Sequence, residues 1–125
     1  MRLLLDTHIY LWAATNHRSL SRSAKQLILE ADDIFVSAAS IWEATIKSAL
    51  GKLDAAPEAL VRAITASGFA ELPVRAMHAA AVRKLPSLHR DPFDRLLIAQ
   101  AISEPLHFLT SDRALAAYSE LVIVT

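Results

Sequence analysis

The sequence predicts an α/β fold, an open sandwich in which helices cover both faces of a parallel sheet, as a single domain over residues 1–125. Short unbroken aliphatic runs alternate with longer stretches of helical spacing. Strands that are apolar on both faces, with a helical stretch between one and the next, require crossover connections and parallel pairing. The composition, 54% hydrophobic and 21% charged, is that of a packed globule. A chain of 125 residues hides roughly two-thirds of its unfolded surface, so it needs no covalent staple, and it has no cysteine to supply one.

The elements follow in order. Residues 2–5 form the first strand, which Asp6 closes, and Tyr10, Leu11 and Trp12 make the apolar opening of the first helix. Leu20–Ala31 has helical spacing, and Ile34–Val36 reads as a second strand. A helix follows over Ile41–Leu50, where Ser40-Ile41-Trp42-Glu43 has the form of a capping box with Ser40 as N-cap. Pro57–Ala66 is helical and a further strand runs near Phe69–Val74. Two more helices cover Arg75–Leu85 and Phe93–Ser103, the second opened by Asp91 as N-cap and Pro92 at the first position. Leu106–Leu109 and Leu121–Val124 complete the strands. No internal repeat or linker interrupts this order.

Counting excludes much chemistry. With only two glycines, Gly51 and Gly68, a phosphate-binding P-loop, a dinucleotide GxGxxG turn and a GxSxG elbow are all impossible. The missing cysteines remove thiolate metal sites, iron–sulfur clusters and a thiol nucleophile. Thirteen Lys and Arg against thirteen Asp and Glu give zero net charge, so any contact with nucleic acid must be local. The opening MRLLLD is too short for a signal-peptide core, no apolar run approaches a membrane span, and a cytoplasmic location is expected.

Open parallel sheets bind ligands beyond the carboxyl ends of their strands. Four acids fall on that side: Asp6 after the first strand, Glu43 one helical turn beyond the second, Asp94 opening a helix and Asp112 after HFLTS. Singly, each has a capping or dipole explanation. Together, they repel by roughly 4 kcal/mol per pair at 4 Å and an effective dielectric near 20, and a divalent cation is the natural neutraliser. An oxygen donor set favours Mg²⁺ or Mn²⁺.

In this order, MRLLLDTHIYLW, SAASIWEATIKSALGKL, HRDPFDRLLIAQA and LTSD resemble the PIN-domain ribonucleases of the VapC toxin type, across nearly the whole chain. The resemblance implies a three-layer α/β/α sandwich with a five-stranded parallel sheet. It carries catalytic and metal-binding roles onto Asp6, Glu43, Asp94 and Asp112, with one or two Mg²⁺ or Mn²⁺ ions. It further implies hydrolysis of RNA, tRNA included, to 3′-hydroxyl and 5′-phosphate ends by a metal-activated water. The partners it implies are a cognate VapB-type antitoxin and a second copy of the chain.

Around these acids, Thr7 and Ser111 are candidates to orient the carboxylates or touch phosphate, as is Thr110 beside Ser111. Lys47 stands four residues after Glu43, the order of a helix-surface ion pair, and is also placed to meet a phosphate. Arg90 and Arg95, with His89 and Arg113, would make a basic rim. His8 is not needed as a base. Trp12 and Trp42 read first as core or interface anchors and second as stacking platforms for bases. The alternatives are a PIN-like RNA-processing nuclease, a binding module without turnover, and a receiver module. A receiver requires paired acids after the first strand and a lysine ending the last, where this chain has Asp6-Thr7 and Val124-Thr125.

Overall fold

The sheet is built around its first strand. In the computed structural model, which describes residues 1–125, β1 (Arg2–Leu5), β2 (Asp33–Ser37), β3 (Ala70–Leu72), β4 (His107–Thr110) and β5 (Val122–Val124) lie in the order β3-β2-β1-β4-β5. All four pairings are parallel, and Leu4 of β1 stands opposite Phe35 on one side and Phe108 on the other. Leu3, Leu4 and Leu5 are fully buried, as the unbroken run predicts for a central strand.

The side chains of β1 alternate between two cores of equal size. Leu3 and Leu5 join Ile9, Tyr10, Leu20, Leu60 and Ile64 on the face covered by α1 (Thr7–Ala14), α2 (Arg22–Glu30) and α4 (Pro57–Ala66). Leu4 joins Leu97, Ile98, Phe108 and Leu115 on the opposite face, covered by α5 (Ala76–Ala81) and α6 (Pro92–Ser103). The helix α3 (Ala38–Ala49) reaches both cores, through Ala44 and Ala39 respectively. The three-layer architecture is the expected one. No helix is long and apolar enough to cross a membrane.

Several boundaries differ from the sequence reading. The helix α3 starts three residues early because Ser37, not Ser40, is its N-cap: the Ser37 hydroxyl accepts from the Ala39 amide at 3.0 Å. The capping box is therefore not formed, and Ser40 and Glu43 are buried within the helix. The predicted helix over Arg75–Leu85 stops at Ala81 and tightens into a 3-10 turn over Val82–Lys84. Pro86 explains the stop, since the residue before a proline is driven out of the helical region, and Leu85 has ψ 142°. Asp91 caps α6 as expected, accepting from the Phe93 and Asp94 amides. Gly51 and Gly68, at φ 72° and 80°, follow α3 and α4 in the left-handed conformation that ends a helix at little cost.

Two polar pins hold the layers. Tyr10 on α1 donates its hydroxyl to the Leu60 carbonyl of α4 at 2.6 Å, and its burial pushes the phenol up to about 12. On the other face the Gln100 amide accepts from the Ser37 hydroxyl at 2.6 Å and donates to the Pro73 carbonyl at 3.2 Å. The Nδ1 of buried His78 accepts from the Arg75 amide at 3.0 Å, which puts the ring proton on Nε2, 2.6 Å from Glu104.

Candidate active site

From β1 the chain moves outward through β2 to β3, whereas from β4 it moves the other way to β5. The crevice between the carboxyl ends of β1 and β4 is thus the switch point of the sheet, where connections diverge and leave space. Asp6 and Thr110 stand on its two sides.

Asp6 is the N-cap of α1 and a member of the cluster at once. Its amide donates to the Leu109 carbonyl at 2.9 Å, locking β1 to β4. Its Oδ1 accepts from the Thr7 amide at 2.7 Å and its Oδ2 from the Thr110 hydroxyl at 2.6 Å. The same Thr110 oxygen accepts from the Asp112 amide at 3.1 Å, and Asp112 in turn caps the 3-10 turn over Arg113–Tyr118 through the Ala114 amide at 3.0 Å. Asp94, in the first turn of α6, meets His89 Nε2 at 2.9 Å. Donor atoms of His89, Asp94 and Asp112 all lie within 4.8 Å of one another.

Glu43 enters from α3. Its Oε2 is 3.2 Å from Lys47 Nζ, whereas its Oε1 is buried with no hydrogen-bond partner. Burial raises the Asp6 carboxyl above its ordinary range, Glu43 adds to this, and Thr110, His8 and the Thr7 amide oppose it. Asp94 is pushed up to about 7, first by burial and then by the charges of Asp6 and Asp91, with His89 opposing. Asp6 thus feels the charge of Glu43, Asp94 feels that of Asp6, and Asp112 lies beside Asp94 and His89, so the four acids form one linked cluster. Its excess negative charge and orphaned buried oxygen fit a divalent cation, which would relieve both.

The surrounding residues sort differently from the sequence reading. Thr7 donates to Ser40 Oγ at 2.9 Å rather than to an acid. Ser111 is exposed, and its neighbour Thr110 is the hydroxyl that holds the Asp6 carboxylate. Lys47 pairs with Glu43 as expected and lies 3.5 Å from His8 Nε2. Arg90 is exposed on a cleft of about 390 Å³ shared with Glu43, Lys47 and Phe93. Arg95 lies outside the cluster: it donates to the carbonyls of Pro86 at 2.8 Å and Val82 at 3.3 Å and to the Tyr118 hydroxyl at 3.2 Å, tying α6 to the loop before it. The two tryptophans differ, since Trp12 packs against the core from its edge and Trp42 does not. Trp42 is 62% exposed, edge-on to Phe93 with ring centroids 5.2 Å apart, and Trp12 is half-buried.

Two contributors escaped the sequence reading in the roles they take here: Ser40 receives the Thr7 hydroxyl, and His89 stands within the cluster rather than on its rim. The HRDPFD spacing was the available signal for His89, since it leads straight into the turn that carries Asp94.

Residues 3–121 match the PIN domain family. The chain is 30% identical over 118 residues to Ribonuclease VapC22 of Mycobacterium tuberculosis (strain ATCC 25618 / H37Rv), covering 93% of this chain and 91% of that protein. Its fold is similar to that in the crystal structure of VapBC2 from Rickettsia felis bound to a DNA fragment from their promoter. That similarity has a TM-score of 0.71 at 18% identity and covers 100% of this chain and 98% of the other.

Proposed function

The chain belongs to the PIN domain family, and we propose that it is a Mg²⁺- or Mn²⁺-dependent endoribonuclease toxin that hydrolyses RNA phosphodiester bonds and is neutralised by a cognate VapB-type antitoxin. The observation that carries this reading is the buried, unpartnered Glu43 Oε1 whose charge acts on Asp6, which in turn acts on the Asp94 carboxyl beside Asp112. A buried oxygen without a partner costs about 1–3 kcal/mol, and a bound cation removes that cost. The name of the mycobacterial relative supports ribonuclease activity for this chain, and the rickettsial VapBC assembly supports the antitoxin.

Asp6, Glu43, Asp94 and Asp112 are the residues that would hold one or two ions. When bound, the ion supplies a more acidic water and neutralises charge on the phosphate and on the departing 3′ oxygen. The protein's own part is positioning. Lys47 restrains one oxygen of Glu43 and leaves the other free. The Thr7 amide and Thr110 hydroxyl fix both oxygens of Asp6, so this carboxylate does not swing when RNA arrives. Thr110 also ties Asp112 to the same register. At the open edge, Arg90 is placed to take a neighbouring phosphate and draw the strand across the acids.

The test is cleavage of a mixed tRNA and mRNA pool by purified, antitoxin-free protein with Mg²⁺ or Mn²⁺, beside EDTA and Asp94→Asn controls. Discrete metal-dependent cuts that leave 5′-phosphate and 3′-hydroxyl ends are expected. A 2′,3′-cyclic phosphate product would overturn the route, because the RNA 2′-hydroxyl would then be the nucleophile.

A further inference from the structure

A second concavity lies beside the acid cluster and takes no part in the reaction described above. It is a groove of about 620 Å³ between α1 and the segment after α3, with Leu11 and Leu53 among its apolar lining and His8, Trp12, His17 and Lys52 around them. Its size is that of a small-ligand site. His8, Trp12 and His17 form an aromatic ledge. The His8 and Trp12 ring centroids are 5.9 Å apart, and those of Trp12 and His17 are 6.3 Å apart with planes within 23°. His17 Nδ1 accepts from the Ser19 amide at 3.0 Å, so the ring Nε2 is left exposed.

We propose that this groove is a nucleobase subsite, in which one unpaired nucleotide of the RNA strand stacks on Trp12, its phosphate lies against Lys52, and the strand continues past Lys47 to the carboxylates. The proposal rests on the ribonuclease reading and deepens it. Lys47 is what joins the two regions: it lines both the groove and the Arg90 cleft, and its ammonium stands between Glu43 Oε2 and His8 Nε2. Lys52 is exposed and makes no salt bridge, so its charge is available. Aromatic faces that accept any base, set beside cations that follow the backbone, are what single-stranded nucleic acid requires.

The chemistry distinguishes this groove from a surface for a protein partner. An amphipathic helix needs a continuous apolar strip, and the chain offers one elsewhere, on α3, where Trp42, Ile46 and Leu50 are 62%, 38% and 63% exposed. The groove instead sets the ledge of His8, Trp12 and His17 beside Lys47 and Lys52. Asp54 is the one acid on its wall, facing two lysines.

Binding of a fluorescein-labelled, mixed-sequence single-stranded 10-mer RNA to the full chain in EDTA, read by anisotropy, separates this proposal from the activity. Trp12→Leu is expected to weaken binding about ten-fold or more, the usual range for loss of one base stack, while Trp12→Phe keeps most of it. Lys52→Ala, on an exposed side chain that does not put folding at risk, is expected to weaken binding several-fold and flatten the salt dependence. In a Trp42→Phe background, RNA is expected to quench the remaining tryptophan emission. If wild-type protein cuts RNA with metal but Trp12→Leu and Lys52→Ala bind the 10-mer as wild type does, the subsite is overturned and the nuclease reading stands. If those variants instead lose only the antitoxin, the groove belongs to the protein partner and the proposal fails. If wild-type protein neither binds nor cuts RNA, the reading beneath it has failed as well.

Discussion

Thr110 ties two of the four acidic residues together with one hydroxyl, donating to the Asp6 carboxylate and accepting from the Asp112 backbone amide. Thr110→Val keeps the shape and removes both bonds. We expect a loss of about 1–3 kcal/mol in stability and a fall of about 10–100-fold in turnover, read by urea unfolding and by initial cleavage rates. The larger change should fall on kcat rather than KM, since Thr110 orders acids and not RNA. Asp94→Asn acts in the opposite direction on stability. At pH 8 without metal the wild-type carboxylate is held ionised beside Asp6 and Asp91. Removing that charge should stabilise the fold by about 1 kcal/mol after discounting for solvent screening, or about 4 °C in Tm, while cleavage falls by at least about 100-fold. The four acids were legible as candidates because Asp6 and Asp112 follow strands directly and Glu43 and Asp94 lie in the opening turns of helices. The Thr110 hydroxyl was legible as a candidate to orient an acid, but its partner was not, because Asp6 lies 104 positions away.

Between elements, α1 is fastened to α4 by the single Tyr10 hydroxyl on the Leu60 carbonyl. Tyr10→Phe should cost about 1 kcal/mol and should also alter alkaline unfolding. The folded phenol is raised to about 12 against about 10 unfolded, so the unfolded chain ionises first. The stabilisation from keeping the phenol neutral is full below pH 10 and is lost as pH rises toward 12. Urea midpoints measured from pH 8 to 11.5 should fall less steeply in the variant than in the wild type. Strand and helix identity was legible because β1 is a short unbroken apolar run buried on both faces, whereas the helical stretches are longer and mix apolar with polar positions. The start of α3 was not. SAAS offers two serines three apart, and Ser37 wins because it still pairs with Leu72 in the sheet, so the chain must turn there. The Ser37–Gln100–Pro73 chain was likewise hidden, since it joins elements far apart in sequence.

The molecule as a whole has no net charge yet concentrates acids at one crevice, so its response to metal should be specific. Mn²⁺ or Mg²⁺ should raise Tm in proportion to the logarithm of its concentration once above Kd, and Asp94→Asn should abolish that rise in a thermal-shift titration. The fold class was legible because strands and helices alternate. The strand order followed less directly, since β1 pairs with a strand that comes a hundred residues later. That pairing bears on synthesis. A nascent chain emerges with β1 first, but its centre cannot close until β4 has followed, and the pocket draws its acids from positions 6, 43, 94 and 112. No leading fragment on a ribosome that stops short of position 112 therefore carries all four acids, and the crevice is assembled only when the last tenth of the chain is being made.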